Sequence, residues 1–127
     1  MSMAGIQDLG SFKPDNLIAS GADLHVGNVT LSAGQTLKRG AILGKNTASG
    51  ECKIIANGAS DGTEKIYAIL ADNVVTEGKT AVAEAYLSGA FHIDALTAGD
   101  GVDVGKLVDE ARVLNIYIVP SIADGKE

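Results

Sequence analysis

The sequence predicts a mainly-β domain, built as a small barrel or clip, with one short helix near its C-terminal end. Three observations carry this prediction. Apolar runs are short and are separated by turns rich in glycine, asparagine and aspartate, as in folds made of many short strands. Hydrophobic residues make up 46% of the chain but aromatic residues only 4%, so the core is expected to consist of small and β-branched aliphatic side chains. The 16 glycines follow no collagen-like period, which assigns them to tight turns.

The first 28 residues differ from the rest of the chain. Residues 1–28 show neither helical nor strand periodicity and predict an extended, flexible arm, which leaves residues 29–127 for the β-rich domain. Large apolar residues occur in this arm only at intervals, as expected of anchors that become ordered on a partner: Ile6, Leu9, Phe12, Leu17 and Ile18. The alternative is a disordered tail. Fully extended, about 20 residues reach on the order of 65 Å, well beyond the domain.

The domain begins with closely spaced short strands. The stretch VTLSAGQTL (Val29–Leu37) predicts a strand, a glycine turn and a second strand, and AILGKN predicts a third. Gly34, Gly40 and Gly44 are interpreted as backbone turns that let short strands fold over one another. A further strand is predicted over Cys52–Ala56.

The middle of the chain carries the strongest strand signals. Residues 65–75, KIYAILADNVV, form a nearly continuous apolar run, which is typical of a strand buried on both faces. A long strand is predicted over Ala81–Ile93, where the isolated Gly89 indicates a bulge or a close backbone approach. The last run, IYIV, alternates and stops at Pro120, as an edge strand does.

One helix is predicted between the last two strands. Apolar residues recur there with the three-four spacing of an amphipathic helix, at Leu107, Val108, Ala111 and Leu114. Asp103 is the expected N-cap, and Arg112 lies near the C-terminal end, where a cation suits the helix dipole.

Charge and hydropathy exclude several classes of partner. The net charge is −6 and no basic stripe is present, which argues against nucleic-acid binding. No apolar run approaches the ~18 residues that a membrane-spanning helix needs, and no secretory signal is expected at the N-terminus. The single cysteine, Cys52, cannot form an intrachain disulfide; it is expected to be a small buried hydrophobe in a protein made in a reducing compartment.

No catalytic, metal-binding or cofactor-binding residues are predicted. His25 and His92, with one cysteine, do not match a metal-ligand spacing. Lys38 and Arg39 form a basic pair that suits either an anion or, more commonly, solvent. Two other function classes stay open: a non-catalytic ligand- or glycan-binding β-module, and a subunit of a clip-fold enzyme such as a trimeric nucleotide hydrolase. The enzymes depend on motifs rich in aspartate, serine, arginine and tyrosine, and no such motif is visible here.

The order of segments resembles that of the bacteriophage head decoration protein family. The resemblance rests on GQTLKRGAILG, then YAILADNVV, then AEAYLSGAFHIDAL followed by a helix and a last strand, and it covers roughly Thr30–Val119. The stretch FKPDNLIASG is similar to the N-terminal arm of many members of the family.

This resemblance implies a β-clip-like fold without catalytic machinery. It also implies homotrimers that bind the major capsid protein on the outer surface of the expanded head, at three-fold and quasi-three-fold sites. The arms of such trimers order against the shell, and the trimers cement it against the pressure of packaged DNA. The expected location is the virion, after synthesis in the cytoplasm of the host bacterium, with no membrane or nucleic-acid partner.

Overall fold

A computed structural model of the chain describes residues 17–120. Within them, strands account for 44% of the residues and helices for 13%, which confirms the mainly-β prediction. The strands are β1 (Ile18–Leu31), β2 (Gln35–Leu37), β3 (Ile42–Lys45), β4 (Cys52–Ile54), β5 (Ala68–Leu70), β6 (Val74–Thr76), β7 (Ala81–His92) and β8 (Ile116–Val119). The helical segments are two 3₁₀ turns (Ile93–Ala95 and Val104–Leu107) and α1 (Val108–Val113).

Two long strands, β1 and β7, organise the sheet. They run antiparallel, from the pair Leu31–Ala81 at one end to the pair Ile18–Phe91 at the other. The second edge of β7 pairs first with β5 and then with β8. Because β5 pairs with β3, β3 with β4, and β4 with β1 at Leu31–Cys52, five strands close into a ring. Strand β8 lies outside the ring, and β2 and β6 form a separate two-stranded sheet.

Both faces of the central ring strands are covered by apolar side chains. Successive residues of a strand point to opposite faces, so Ile42 and Leu43 of β3 belong to two different clusters. One cluster draws on all five ring strands and contains Val29, Leu31, Leu37, Ala41, Leu43, Cys52, Ala68, Leu70, Ala83 and Ala85. The other contains Leu17, Ile42, Ile55, Ile66, Ile69, Tyr86, Phe91, Leu96, Leu107, Ala111, Ile116 and Ile118. Two cores on one sheet explain why every residue of β5 is apolar and buried.

The run KIYAILADNVV folds as two strands, so the prediction of one long strand is wrong. Burial on both faces holds for β5, but the chain turns at 71–73 and β6 leaves to pair with β2. The Asn73 side-chain carbonyl accepts a hydrogen bond from the Arg39 backbone N–H at 2.9 Å, and the Arg39 guanidinium donates to the Ala71 carbonyl at 3.0 Å. These long-range contacts stabilise a bend that the apolar pattern does not reveal.

The glycines of the first corner have two different roles. Gly34 and Gly40 have φ values of +82° and +97°, a backbone region open mainly to glycine, and they form the predicted turns. Gly44 is not a turn residue, because it lies within β3. A Cβ on Gly44 would lie 2.4 Å from the Thr63 carbonyl oxygen, so glycine is required there for a close approach of two chain segments.

The C-terminal helical segment starts as predicted and ends earlier. The Asp103 carboxylate accepts a hydrogen bond from the Gly105 N–H at 3.0 Å, which confirms the N-cap. The first turn is 3₁₀, and α1 is only six residues long. Leu107 and Ala111 are buried, whereas Leu114 lies past the end of α1 and is exposed. Asn115, with φ of +64°, turns the chain into β8, an edge strand that ends before Pro120 as predicted.

A polar turn fixes the loop that packs on β3. The Asp61 carboxylate accepts hydrogen bonds from the Thr63 hydroxyl at 2.5 Å and from the Thr63 backbone N–H at 3.0 Å. The Asn46 side chain donates to the same carboxylate at 3.2 Å. The bonds from Thr63, the hydroxyl first, lower the pKa of Asp61 below its ordinary value of 3.8, because they stabilise the ionised form.

The contact at Gly44 predicts a stability cost for any side chain there. Gly44→Ala places a methyl group against backbone, which cannot move aside as a side chain can, so the free energy of unfolding should fall by about 1–3 kcal/mol. Gly78→Ala is the matched control, since no atom lies within 4 Å of a Cβ at Gly78. Its effect should stay within about 0.5 kcal/mol. Equal urea denaturation midpoints for the two variants would contradict this assignment.

The Asp61 bonds predict a dependence of stability on pH. Because the folded-state pKa is lowered, the stabilisation by this carboxylate is complete above 3.8 and is lost as the pH falls through the folded-state pKa. The wild type should therefore have a higher free energy of unfolding than Asp61→Asn above pH 3.8, and this difference should shrink as the pH falls below 3.8. Thr63→Val removes the hydroxyl donor and should reduce the pH dependence. A difference in unfolding free energy that stays constant or grows in acid would show that the Asp61 bonds do not stabilise the ionised carboxylate.

Candidate functional site

The structure describes two of the five predicted arm anchors. Ile6, Leu9 and Phe12 lie outside the described residues. Leu17 is 1% exposed and belongs to the core cluster that α1 covers, and its carbonyl accepts a hydrogen bond from the His92 N–H at 2.9 Å. Ile18 is half-buried and pairs with Phe91 at the start of β1. These two residues therefore contact the domain itself.

Strand β1 begins 11 residues before position 29, where the sequence pattern placed the start of the domain. Residues 18–28, assigned to the arm from the sequence, form its first part and pair with β7. The pattern hides this strand because its register with β7 shifts three times, between Ile18 and Ser20, between Ser20 and His25, and between His25 and Val26. Each shift interrupts the alternation of apolar and polar residues by which a strand is recognised.

The irregular part of the β1–β7 ribbon lies around Gly89. Between the pairs Ser20–Ala90 and His25–Ser88, β1 advances five residues while β7 advances two, so β1 bulges. Gly89 has φ of +141°, and a Cβ there would lie 2.7 Å from Leu24 Cδ1, as the predicted close approach requires. His25 Nδ1 and Ser88 Oγ share a hydrogen bond of 2.7 Å beside the last register shift, after which regular pairing runs from Val26 to Leu31.

Among residues 17–120, one edge of β1 has no partner strand along most of its length. The opposite edge of β1 pairs with β7. On the edge away from β7, the only strand pair in the described chain is Leu31–Cys52, at the C-terminal end of β1. Residues 25–31, HVGNVTL, contain no charged residue and no proline, the usual devices that keep an edge strand from pairing with another chain. This free edge (residues 25–30) leads back along β1 to Leu17, where the N-terminal segment (residues 1–16) joins the domain.

An exposed apolar face accompanies the free edge. Val26 of β1 is 52% exposed and Val82 of β7 is 69% exposed. Val26, Asn28 and Thr30 share a face because they alternate along one strand, and Thr30 pairs with Val82. Glu84, opposite Asn28, contributes the charge of this face. The sequence pattern did not reveal this face, because it assigned Val26 and Asn28 to the arm. The alternation of Val29 and Leu31 is the signal that points to a strand there.

Cysteine, histidine and acidic side chains are the groups of residues 17–120 on which nucleophilic or metal chemistry would depend. Cys52 is buried as predicted, and burial raises the pKa of its thiol, an effect that the nearby Lys45 ammonium only partly opposes. In residues 17–120, histidine, cysteine, aspartate and glutamate side chains form no group of three that would suit a metal ion. No helix of this part of the chain is long and apolar enough to cross a membrane.

The basic pair of the first corner is divided between structure and solvent. The Arg39 guanidinium donates to the Tyr86 hydroxyl at 2.7 Å and lies 5.6 Å from the centre of the Tyr86 ring. Together with its bond to the Ala71 carbonyl, these contacts tie the corner to β7. Lys38 is exposed. The arginine therefore stabilises the fold, and the pair does not converge on an anion.

A hollow of about 360 Å³ opens beside the end of β3, where Lys45, Lys65 and Tyr67 are among the lining residues. The Lys45 ammonium lies 4.8 Å from the centre of the Tyr67 ring. A cation on the ring occupies the aromatic face that a sugar ring would stack on. This geometry gives the glycan-binding alternative no support at this hollow.

A comparison with protein-family models matches residues 8–115 to a family described as bacteriophage lambda head decoration protein D. No curated protein matches the chain. The matched residues contain β1 to β7 and α1, and they make up well over half of the 127 residues. The match confirms the resemblance drawn from the order of segments. The chain belongs to the family of bacteriophage lambda head decoration protein D.

Proposed function

We propose that this protein decorates and cements the head of a tailed bacteriophage. It binds as a homotrimer to the outer surface of the expanded shell, at three-fold and quasi-three-fold sites, and its partner is the major capsid protein. Family membership supports the role in head decoration and a location in the virion. The observation that carries the proposal on this chain is the free edge of β1, which continues into the N-terminal segment.

The free edge suits the addition of a strand from the shell. Along residues 25–30, the backbone N–H and C=O groups that face away from β7 have no partner strand within residues 17–120. They can bond to an extended backbone, which gives affinity without any side-chain chemistry. The exposed Val26 and Val82 lie on the face of the ribbon beside this edge and add apolar surface to such a contact. An uncharged exposed edge is a liability in a free protein, and burying it on a partner removes that liability.

The N-terminal segment extends this contact beyond the domain. Ile6, Leu9 and Phe12 are the proposed anchors on the shell. Leu17, buried in the core, fixes the end of the segment to the domain, and Ile18 marks where the contact passes to β1. Ordering such a segment costs conformational entropy, so each copy gains only modest affinity.

Three copies in one trimer overcome this modest affinity. Once one copy is bound, the effective concentration of the other two at their sites rises, which can raise the avidity by roughly 10²–10⁴. A protein that binds only the expanded lattice stabilises that lattice by mass action. The net charge of −6 keeps the free protein soluble and repels it from packaged DNA. This mechanism requires no bond-breaking chemistry.

Deletion of residues 1–16 should leave a folded trimer that no longer binds the shell. The cut stops before Leu17 because that side chain is part of the core, and its loss would confuse folding with binding. Co-sedimentation with expanded shells measures binding; light scattering, at about three times the mass of one chain, measures assembly. A truncated protein that co-sediments at the wild-type level would contradict the role of the segment.

Val26→Lys should weaken shell binding without unfolding the domain. It places a charge beside the free edge, and the desolvation of that charge on docking should raise the Kd about tenfold or more, equivalent to about 1.4 kcal/mol. Val113→Lys is the matched control, since Val113 is 83% exposed but lies on α1. Both variants should keep the wild-type thermal midpoint. Equal shell affinities for the two variants would exclude this face from the interface.

A further inference from the structure

The turn after β4 presents an asparagine followed by a glycine. Asn57 and Gly58 are both exposed, and Gly58 has φ of +87° with no atom within 4 Å of the position of a Cβ. The turn is closed by the bond from the Ala56 N–H to the Thr63 carbonyl at 3.0 Å. Within residues 17–120, neither the Asn57 side chain nor the Gly58 N–H makes a hydrogen bond. The Asn57 side chain lies beside Gly101, where a Cβ would lie 3.1 Å from Asn57 Nδ2, but no hydrogen bond within the described residues holds its amide away from the Gly58 nitrogen.

The other described asparagines either make side-chain hydrogen bonds or precede a β-branched residue. The Asn46 carbonyl oxygen accepts from two backbone N–H groups, at 2.8 and 2.9 Å, and its amide donates to Asp61. The Asn73 carbonyl oxygen accepts from the Arg39 N–H. Asn28 and Asn115 precede Val29 and Ile116, whose β-branched side chains shield the backbone nitrogen that would attack. Asn57 alone among these combines a free amide with an unshielded following nitrogen.

We propose that Asn57 is a site of spontaneous covalent modification, in which its amide is converted to a carboxylate. The backbone nitrogen of Gly58, after losing its proton to water or hydroxide, attacks Asn57 Cγ. The new N–Cγ bond closes a five-membered imide, the Cγ–Nδ2 bond breaks, and Nδ2 takes up a proton and leaves as ammonia. Water then opens the imide at either carbonyl, which gives aspartate or isoaspartate. No oxidant, metal or enzyme is required.

The product changes the charge of a defined part of the surface. Asn57 lines a hollow of about 310 Å³ together with Glu64, Asp103 and Lys106. A new carboxylate joins two existing ones there with a single ammonium to balance them, at the start of the segment that covers one core cluster. Isoaspartate also inserts one carbon into the backbone of the turn. Stored protein should therefore become a mixture of chains that differ by one negative charge.

Peptide mapping of the full-length protein after incubation in buffer tests the proposal. The peptide that holds Asn57 should gain the mass difference between NH and O, and the converted fraction should rise with time and with pH. The bonds that hold Asn46 each stabilise it by a modest amount, so conversion at Asn57 should be at least about tenfold faster than at Asn46. Asn57→Gln, which cannot close a five-membered ring, should abolish the conversion at this position.

The variant Thr47→Gly separates the effect of local structure on the conversion rate from the effect of the following residue. It gives Asn46 and Asn57 the same following residue, a glycine. Asn46 should still convert more slowly than Asn57 in this variant, since its amide stays bonded, and the two rates should become equal in urea. Equal rates in the folded variant would overturn the structural argument. An Asn57 that converts in urea but not in the folded protein would overturn the proposal as a whole.

Discussion

The fold depends on the antiparallel pairing of two long strands, β1 and β7. Every other strand of the ring is three or four residues long, and such strands are unstable without a longer template. Strand β7 supplies that template, since it holds β1 on one edge and β5 and β8 on the other. The two core clusters lie on opposite faces of this sheet, so the same pairing also positions the apolar side chains that stabilise the domain.

Elements whose sequence pattern depends on neighbours in the chain were predictable. The N-cap at Asp103 follows from the residue type and its place before an apolar period, and the long strand with a strained Gly89 follows from its composition. The edge position of β8 follows from Pro120. The order of these local elements was enough to recognise the family, which the match over residues 8–115 confirms.

Features that depend on distant contacts were not predictable. The break between β5 and β6 relies on Asn73 and Arg39, which are 34 positions apart. The role of Gly44 depends on where Thr63 lies, and the start of β1 is obscured by register shifts that only its pairing with β7 explains. The free edge of the candidate site is a property of the closed ring, because no local pattern tells which edge of a strand lacks a neighbour.

The burial of Leu17, immediately before β1, has a mechanical consequence. A pull on the N-terminal segment acts close to the axis of β1, since that strand begins at the next residue. The load then falls on the hydrogen bonds to β7 together, in shear, instead of opening them one after another as in unzipping. Resistance to such a force requires many bonds to yield at once, and the length of the β1–β7 ribbon sets how many share it.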